Sequence, residues 1–144
     1  MIKPMVELSI SVIGLLLCFI LFHHFPRLSK ARKKVDIAPS VSVIIPARNE
    51  GRNIANLLND LRKQSLPPLE IIVVDDMSSD DTLKMAKSFA VKVIKIEEKP
   101  DDWLGKSWAC QKGADAAKGD FLLFLDADVR LSDNALFRLI KTQM

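Results

Sequence analysis

Phe121-Leu-Leu-Phe-Leu-Asp-Ala-Asp128 is the stretch that decides the fold, because an apolar run ends abruptly there in two carboxylates. Five consecutive apolar residues bounded by polar ones predict a buried strand. Asp126 and Asp128 would then lie at the carboxyl end of that strand, where their mutual repulsion requires a compensating cation or proton. Mg²⁺ and Mn²⁺ prefer oxygen ligands and often complete their shell with substrate phosphates. The stretch therefore predicts a metal-assisted site for a phosphorylated ligand.

Strands and helices alternate on the amino-terminal side of this stretch. Apolar runs predict strands at 41–45, 70–74, 91–96 and 121–125. Helical spacing of apolar residues and possible capping serines predict helices at 54–61, 79–89 and 107–118, and from Ser132 onward. Such alternation is typical of an α/β protein with a parallel sheet, in which ligands bind beyond the carboxyl ends of the strands.

Polar segments follow three of the predicted strands and would share one rim of the sheet. These segments are 46–50, 75–81 and 126–128. Polar groups that converge from distant parts of a chain on one crevice indicate a functional site. We therefore expect Asp76 and Asp128 to open onto one cavity and to meet around a single divalent ion.

Plainer interpretations of the same residues stay open. Glu50 fits the first turn of a helix, and the serines and aspartates at 78–81 fit a helix cap. Arg48 and Lys106 fit solvated or salt-bridged surface residues. Each interpretation explains one segment, whereas a shared site explains all three.

The three polar segments, together with the strands before them, resemble family 2 glycosyltransferases of the GT-A fold. The resemblance rests on Val41-Ser-Val-Ile-Ile-Pro-Ala-Arg-Asn-Glu50, Ile71-Ile-Val-Val-Asp-Asp-Met-Ser-Ser-Asp-Asp-Thr82 and Phe124-Leu-Asp-Ala-Asp128. Trp103-Leu-Gly-Lys-Ser-Trp-Ala-Cys-Gln-Lys-Gly113 is similar to the members that act on carotenoid acids. The resemblance extends over roughly 41–131 and implies a Rossmann-like, parallel-sheet GT-A half-domain.

The resemblance also implies a role for each matching residue. Asp128, with Asp126, would bind Mg²⁺ or Mn²⁺ and the diphosphate of a nucleotide sugar, for which a UDP-sugar is expected. Asp76 would contact the nucleoside base. The remaining predicted donor-binding residues are Pro46, Ala47, Arg48, Glu50 and Lys106.

The composition of the chain limits its partners. It has 144 residues, 27% of them charged, and a net charge of only +3, which does not indicate a nucleic-acid partner. Cys18 and Cys110 lie far apart and do not form a metal-binding spacing, so neither a disulfide framework nor a zinc site is expected.

The amino-terminal segment has the composition of a membrane anchor. Residues 5–25 are overwhelmingly apolar and long enough to cross a bilayer, and a basic run follows Pro26. The positive charges predict a single-pass cell-membrane protein with a cytoplasmic catalytic domain. We expect a transmembrane helix at 1–26 and a basic linker at 27–40, and we favour this anchor over a cleaved signal peptide.

Residues 41–144 would form the amino-terminal, nucleotide-sugar-binding half of a truncated domain. The resemblance implies a catalytic base downstream of the Asp-x-Asp motif, which we expect beyond Met144, and a lipid-like, possibly carotenoid, acceptor. This chain alone would then bind a nucleotide weakly without turnover. Alternatives are a haloacid-dehalogenase-type phosphatase, a receiver-like module and a non-catalytic membrane-tethered nucleotide-binding or scaffold protein.

Overall fold

A computed structural model of the chain describes residues 14–16 and 40–143. The chain divides into two units, Met1–Arg32 and Lys33–Met144. In the first unit only a short helical stretch at 14–16 is described. The architecture given below is that of the second unit.

Strands and helices alternate along this second unit, as the apolar pattern predicts. The elements are β1 Val41–Ala47, α1 Ile54–Arg62, β2 Glu70–Asp76, α2 Thr82–Lys87, β3 Lys92–Ile96, α3 Gly105–Ala116, β4 Phe121–Phe124 and α4 Ala135–Gln143. The strands β1 and β2 each continue two residues beyond the predicted ends, so Pro46, Ala47, Asp75 and Asp76 belong to the sheet itself.

The strands form a parallel sheet in the order β3-β2-β1-β4. Ile44 of β1 is level with Ile72 of β2 on one side and with Phe124 of β4 on the other. This register brings the carboxyl ends of β1, β2 and β4 to one rim, which confirms the predicted α/β architecture with a parallel sheet.

The two faces of the sheet carry separate apolar cores. On one face, Val43, Ile45 and Val73 pack with the buried residues of α1, which are spaced three and four apart at Ile54, Leu57, Leu58 and Leu61. On the other face, Ile44, Ile72, Val74 and Ile96 pack against Ala109 of α3. Alternate residues of each strand serve opposite faces, so both cores position the strand ends.

The prediction that β4 is a buried strand is wrong. Phe121, Leu122 and Phe124 are 50%, 43% and 45% exposed. In the described part of the chain, β4 lies at the edge of the sheet and pairs with β1 alone, while α3 packs over β1 and β2. An apolar run therefore identified the strand, but its burial depends on neighbours that the run does not specify.

Three predicted helix starts are also wrong. The helix α4 begins at Ala135, not at Ser132, whose carbonyl accepts the N–H of Ala135 at 3.0 Å. The helix α2 begins at Thr82 after Asp81, not at Ser79, and α3 begins at Gly105 after Leu104, not at Ser107. The backbone N–H of Ser79 donates to the side-chain oxygen of Asn49 at 2.8 Å, so this serine serves a neighbouring loop. Leu104 is extended, and its carbonyl accepts the first helical bond of α3 from Trp108 at 2.9 Å.

The predicted single-pass location in a cell membrane is contradicted by the lengths of the described helices. Within 14–16 and 40–143, no helix is long and apolar enough to cross a bilayer. A crossing needs about 20 apolar residues, whereas α3 has 12 residues in all. The predicted anchor at 1–26 and linker at 27–40 fall almost entirely outside the described residues.

Candidate functional site

One cavity of about 410 Å³ opens at the rim where β1, β2 and β4 end. It is lined by all eight residues that the sequence singled out, together with Gly105 and Ala127. The eight are Pro46, Ala47, Arg48, Glu50, Asp76, Lys106, Asp126 and Asp128. Asp76 and Asp128, which are 52 positions apart in the chain (128 minus 76), therefore share one cavity, as expected.

The alternation of strand β2 explains how Asp76 reaches this cavity. Asp76 follows Ile72 and Val74 at every second position, and both of these pack on the α3 side of the sheet. The first residue of α3 is Gly105, which approaches Asp76 so closely that a Cβ there would overlap the carboxylate. A glycine at this point lets the start of α3, and with it Lys106, line the same cavity as Asp76.

Asp76 is the buried acid of the cavity. Its side chain is 6% exposed, and its Oδ2 lies 3.7 Å from Nη1 of Arg48, whose side chain is 60% exposed. Its Oδ1 is buried and has no hydrogen-bond partner among the described residues. A buried carboxylate oxygen without a partner is costly, and such an atom in a cavity-lining side chain is typical of a site that a ligand completes.

The two aspartates after β4 lie on the exposed side of the cavity. Lys106 Nζ lies 2.6 Å from Oδ1 of Asp126, and both side chains are more than half exposed. The hydrogen bond from Lys106 to Asp126 raises the pKa of the lysine, with a smaller contribution from Asp128. The ammonium is therefore fully protonated, and it shows that Asp126 accepts a cation in this position.

The expected meeting of carboxylates around one ion is only partly supported by the geometry. Among the described residues, no group of three His, Cys, Asp or Glu side chains is arranged to hold a metal. Asp126 and Asp128 still supply hard oxygen donors at the cavity, and the ammonium of Lys106 stands where a cation would contact Asp126. Such a pair fits Mg²⁺ or Mn²⁺, because these ions are commonly bound by one or two carboxylates together with substrate phosphates.

Two neighbouring features have structural roles. Trp103 and Trp108 pack edge to face with ring centroids 5.1 Å apart, and the ammonium of Lys112 lies 4.4 Å from the centroid of Trp108. These contacts anchor the loop that precedes α3. Burial raises the pKa of the Cys110 thiol, which is typical of a packing residue and not of a nucleophile.

The sequence reasoning missed four residues that shape the cavity. Gly105 and Ala127 line it directly, while Asp80 and Thr82 bind the loop that carries Arg48 and Glu50. Gly105 precedes Lys106 in the stretch 103–113, and a glycine beside a predicted site residue could have indicated a close approach of the backbone. Asp80 and Thr82 belong to the motif that ends at Thr82, but their bonds cross to another loop, and the motif does not reveal those partners.

Comparison with known proteins identifies the family. The family model described as "Glycosyl transferase family 2" matches residues 42–143. The 4,4'-diaponeurosporenoate glycosyltransferase of Staphylococcus haemolyticus is 40% identical over 114 residues, which are 77% of this chain and 30% of that relative.

Solved structures with a similar fold include those of TarS. TarS of S. aureus is 30% identical with a TM-score of 0.62, over 71% of this chain and 19% of TarS. TarS 1–349 in complex with UDP-GlcNAc is 32% identical with a TM-score of 0.57, over 71% of this chain and 30% of that one.

The chain spans about 30% of the length of the curated relative described above. The family match covers the cavity and all three polar segments that line it. It excludes the phosphatase and receiver alternatives, whose motifs would stand in a different order along the sheet. The chain belongs to glycosyl transferase family 2.

Proposed function

We propose that the cavity binds a nucleoside diphosphate sugar and that the chain acts as the donor-binding part of a glycosyltransferase. One observation carries this proposal: a buried acid with an unpaired oxygen and an exposed pair of aspartates line the same cavity. The first suits a nucleoside base, and the second suits a metal-bound diphosphate. A related structure that contains UDP-GlcNAc supports the same class of ligand.

The nucleoside end is assigned to Arg48, Glu50 and Asp76. The unpaired Oδ1 of Asp76 would accept an N–H of the base, and uracil offers such a group at its N3 position. Arg48 lies beside Asp76 and would contribute positive charge and planar hydrogen-bond donors. Pro46 and Ala47 end the buried strand β1 and would form the floor of this part of the cavity.

The diphosphate end is assigned to Asp126, Asp128 and Lys106. When bound, Mg²⁺ or Mn²⁺ would offset the negative charge that the departing nucleoside diphosphate gains during transfer. Asp128 and Asp126 would hold that ion through their carboxylate oxygens. Lys106 would move from Asp126 to the diphosphate, because a strong anion close to its ammonium competes for the same proton donors.

The acceptor is proposed from the relative alone. The related enzyme carries the name 4,4'-diaponeurosporenoate glycosyltransferase, so a lipid-like carotenoid acid is the proposed class of acceptor. The eight predicted residues that line the cavity are all assigned to the donor. Donor binding is therefore the part of the proposal that the geometry supports best.

Isothermal titration calorimetry of the full chain with UDP, with and without Mn²⁺, tests this proposal. The variants are Asp128→Ala and its charge-matched control Asp133→Ala, whose side chain is exposed and whose position lies outside the cavity. We expect Mn²⁺ to strengthen UDP binding to the wild-type chain, and Asp128→Ala to reduce that gain by about tenfold or more. An affinity for UDP that is the same with and without Mn²⁺ would contradict the metal assignment and favour a nucleotide-binding scaffold.

A further inference from the structure

Two loops beside the cavity are joined by a set of hydrogen bonds that we call the loop clasp. The loop clasp connects 49–51, which follow β1, with 78–82, which follow β2. Three consecutive backbone N–H groups of the first loop donate to side-chain oxygens of the second. The pairs are Asn49 N to Ser78 Oγ at 3.0 Å, Glu50 N to Thr82 Oγ1 at 2.8 Å and Gly51 N to Asp80 Oδ2 at 3.1 Å.

Asp80 is the centre of the loop clasp. Its carboxylate accepts from the backbone N–H of Gly51, from the backbone N–H of Thr82 at 2.9 Å and from the Thr82 hydroxyl. Because the hydroxyl gives its proton to Asp80, its oxygen lone pairs remain free to accept the N–H of Glu50. Removal of the carboxylate would therefore affect the amides of both Gly51 and Glu50.

The first loop has a backbone shape that needs such support. Asn49 has a φ of 56°, a left-handed value that asparagine adopts more readily than most residues other than glycine. Met77, which precedes the second loop, has a φ of 53°. The side chain of Asn49 also accepts hydrogen bonds from the N–H and hydroxyl of Ser79. A Cβ on Gly51 would lie 3.0 Å from Oδ2 of Asp80, which is tighter than an ordinary contact, so a side chain there would press on the carboxylate.

The loop clasp holds the backbone from which two cavity-lining side chains extend. Arg48 and Glu50 line the cavity, whereas Asp80 and Thr82 do not. We propose that Asp80 is a positioning residue, which holds the 48–51 loop in its nucleotide-binding shape before the donor arrives. This inference rests on the proposed function for its ligand, but the order of the loop can be measured without any ligand.

Amide hydrogen exchange, followed by NMR on the full chain, tests the positioning role directly. The variants are Asp80→Ala and the charge-matched control Asp81→Ala, since Asp81 is exposed and makes no side-chain cap bond. We expect the amides of Glu50 and Gly51 to exchange about tenfold faster or more in Asp80→Ala. Gly51 loses its bond to the carboxylate, and Glu50 donates to a hydroxyl that the carboxylate orients. The amide of Val73 in the sheet should keep its protection in both variants. Unchanged exchange at Glu50 and Gly51 in Asp80→Ala would overturn the inference.

UDP binding in the presence of Mn²⁺ measures the consequence for the ligand. At a temperature where both variants are folded, we expect Asp80→Ala to weaken UDP binding by about tenfold and Asp81→Ala to stay within about twofold of the wild-type chain. A folded Asp80→Ala chain with wild-type affinity would overturn the role in nucleotide binding. A wild-type chain that binds no UDP would contradict the proposed function, and amide exchange would still decide whether Asp80 orders the loop.

Two substitutions at Thr82 separate positioning from packing. Thr82→Val keeps the buried shape of the side chain and removes the hydroxyl that accepts the N–H of Glu50. Thr82→Ser keeps the hydroxyl and removes a buried methyl group. Positioning predicts that the valine variant loses about tenfold in UDP affinity while the serine variant retains it. The opposite order of the two variants would indicate packing alone and would overturn the inference.

Discussion

The ammonium of Lys106 lies 2.6 Å from Oδ1 of Asp126, so one of the two aspartates after β4 is already neutralised by a cation from the chain itself. A metal ion that binds Oδ1 of Asp126 must displace this lysine. A diphosphate that arrives together with the metal would give Lys106 a new anionic partner. The pair therefore links the proposed metal position with the proposed phosphate position.

Replacement of Lys106 by Met should change metal binding and nucleotide binding in opposite directions. Without the competing ammonium, we expect Mn²⁺ alone to bind up to about fivefold more tightly, which is the range of an exposed ion pair. Binding of UDP with Mn²⁺ should weaken, because the lysine no longer reaches the diphosphate. Electron paramagnetic resonance of free Mn²⁺ measures the first effect and calorimetry the second. The control Lys87→Met removes an exposed charge on α2. If Lys106→Met changed the affinities for Mn²⁺ and for UDP in the same direction, this interpretation would be contradicted.

Replacement of Gly105 by Ala should move the Asp76 carboxylate or the start of α3. A Cβ at this position would overlap the Asp76 carboxylate, so either that carboxylate or the start of α3 must shift, and both line the cavity. We expect UDP affinity to fall by about tenfold or more, the size of an overpacking penalty. Ser107→Ala, an exposed change on the same helix, should leave calorimetric binding unchanged. Wild-type UDP affinity in a folded Gly105→Ala chain would show that Asp76 does not depend on this close approach.

The pH dependence of stability should reveal the pair formed by Asp60 and Arg130. Nε of Arg130 donates to Oδ2 of Asp60 at 2.7 Å and Nη2 to Oδ1 at 3.1 Å, and these bonds hold the pKa of Asp60 below its ordinary value. A carboxylate with a lowered folded-state pKa stabilises the fold above its unfolded pKa, which is about 4. That stability is lost as the pH falls through the lower folded pKa.

Arg130→Met should therefore lower the thermal midpoint at pH 7 by about 4–8 °C, the shift expected for loss of roughly one net hydrogen bond in a domain of this size. The difference from the wild-type chain should narrow as the pH falls below about 4, because Asp60 becomes protonated and needs no cation. Calorimetric or circular-dichroism melts over this pH range measure both effects. Arg138→Met on α4 serves as the control, and a constant difference at all pH values would contradict the assignment to Asp60.

The exposed apolar side chains of β4 should promote self-association of the purified chain. Phe121 is half exposed on a strand that lies at the edge of the described sheet, and such edges pair readily with other chains. We expect Phe121→Lys to reduce concentration-dependent light scattering severalfold, because a charge on an edge strand opposes pairing. Leu104→Lys adds the same charge at a 78% exposed loop position and should have little effect. Equal effects of the two substitutions would assign any aggregation to net charge alone.

The order of strands and helices could be predicted from the sequence because each element carries a local signal. The spacing of Ile54, Leu57, Leu58 and Leu61 marks a helix wherever that segment is placed. The ends of α2 and α3 could not be predicted in the same way. Ser79 and Ser107 are good capping residues by type, but Ser79 donates to Asn49 across a loop and the chain enters α3 before Ser107. Competition from tertiary contacts decided these ends.

By itself, the sequence determined the parallel α/β architecture and the group of residues at its rim. Parallel strands connected by helices end at one rim of the sheet, and Glu50, Asp76 and Asp128 all follow or end such strands. Only the tertiary structure decided which atoms are paired there. It neutralises Asp126 with Lys106, leaves Oδ1 of Asp76 unpaired and ties the loop of Arg48 to Asp80. These outcomes depend on contacts of about 3 Å between segments far apart in the chain, and no local pattern encodes such contacts.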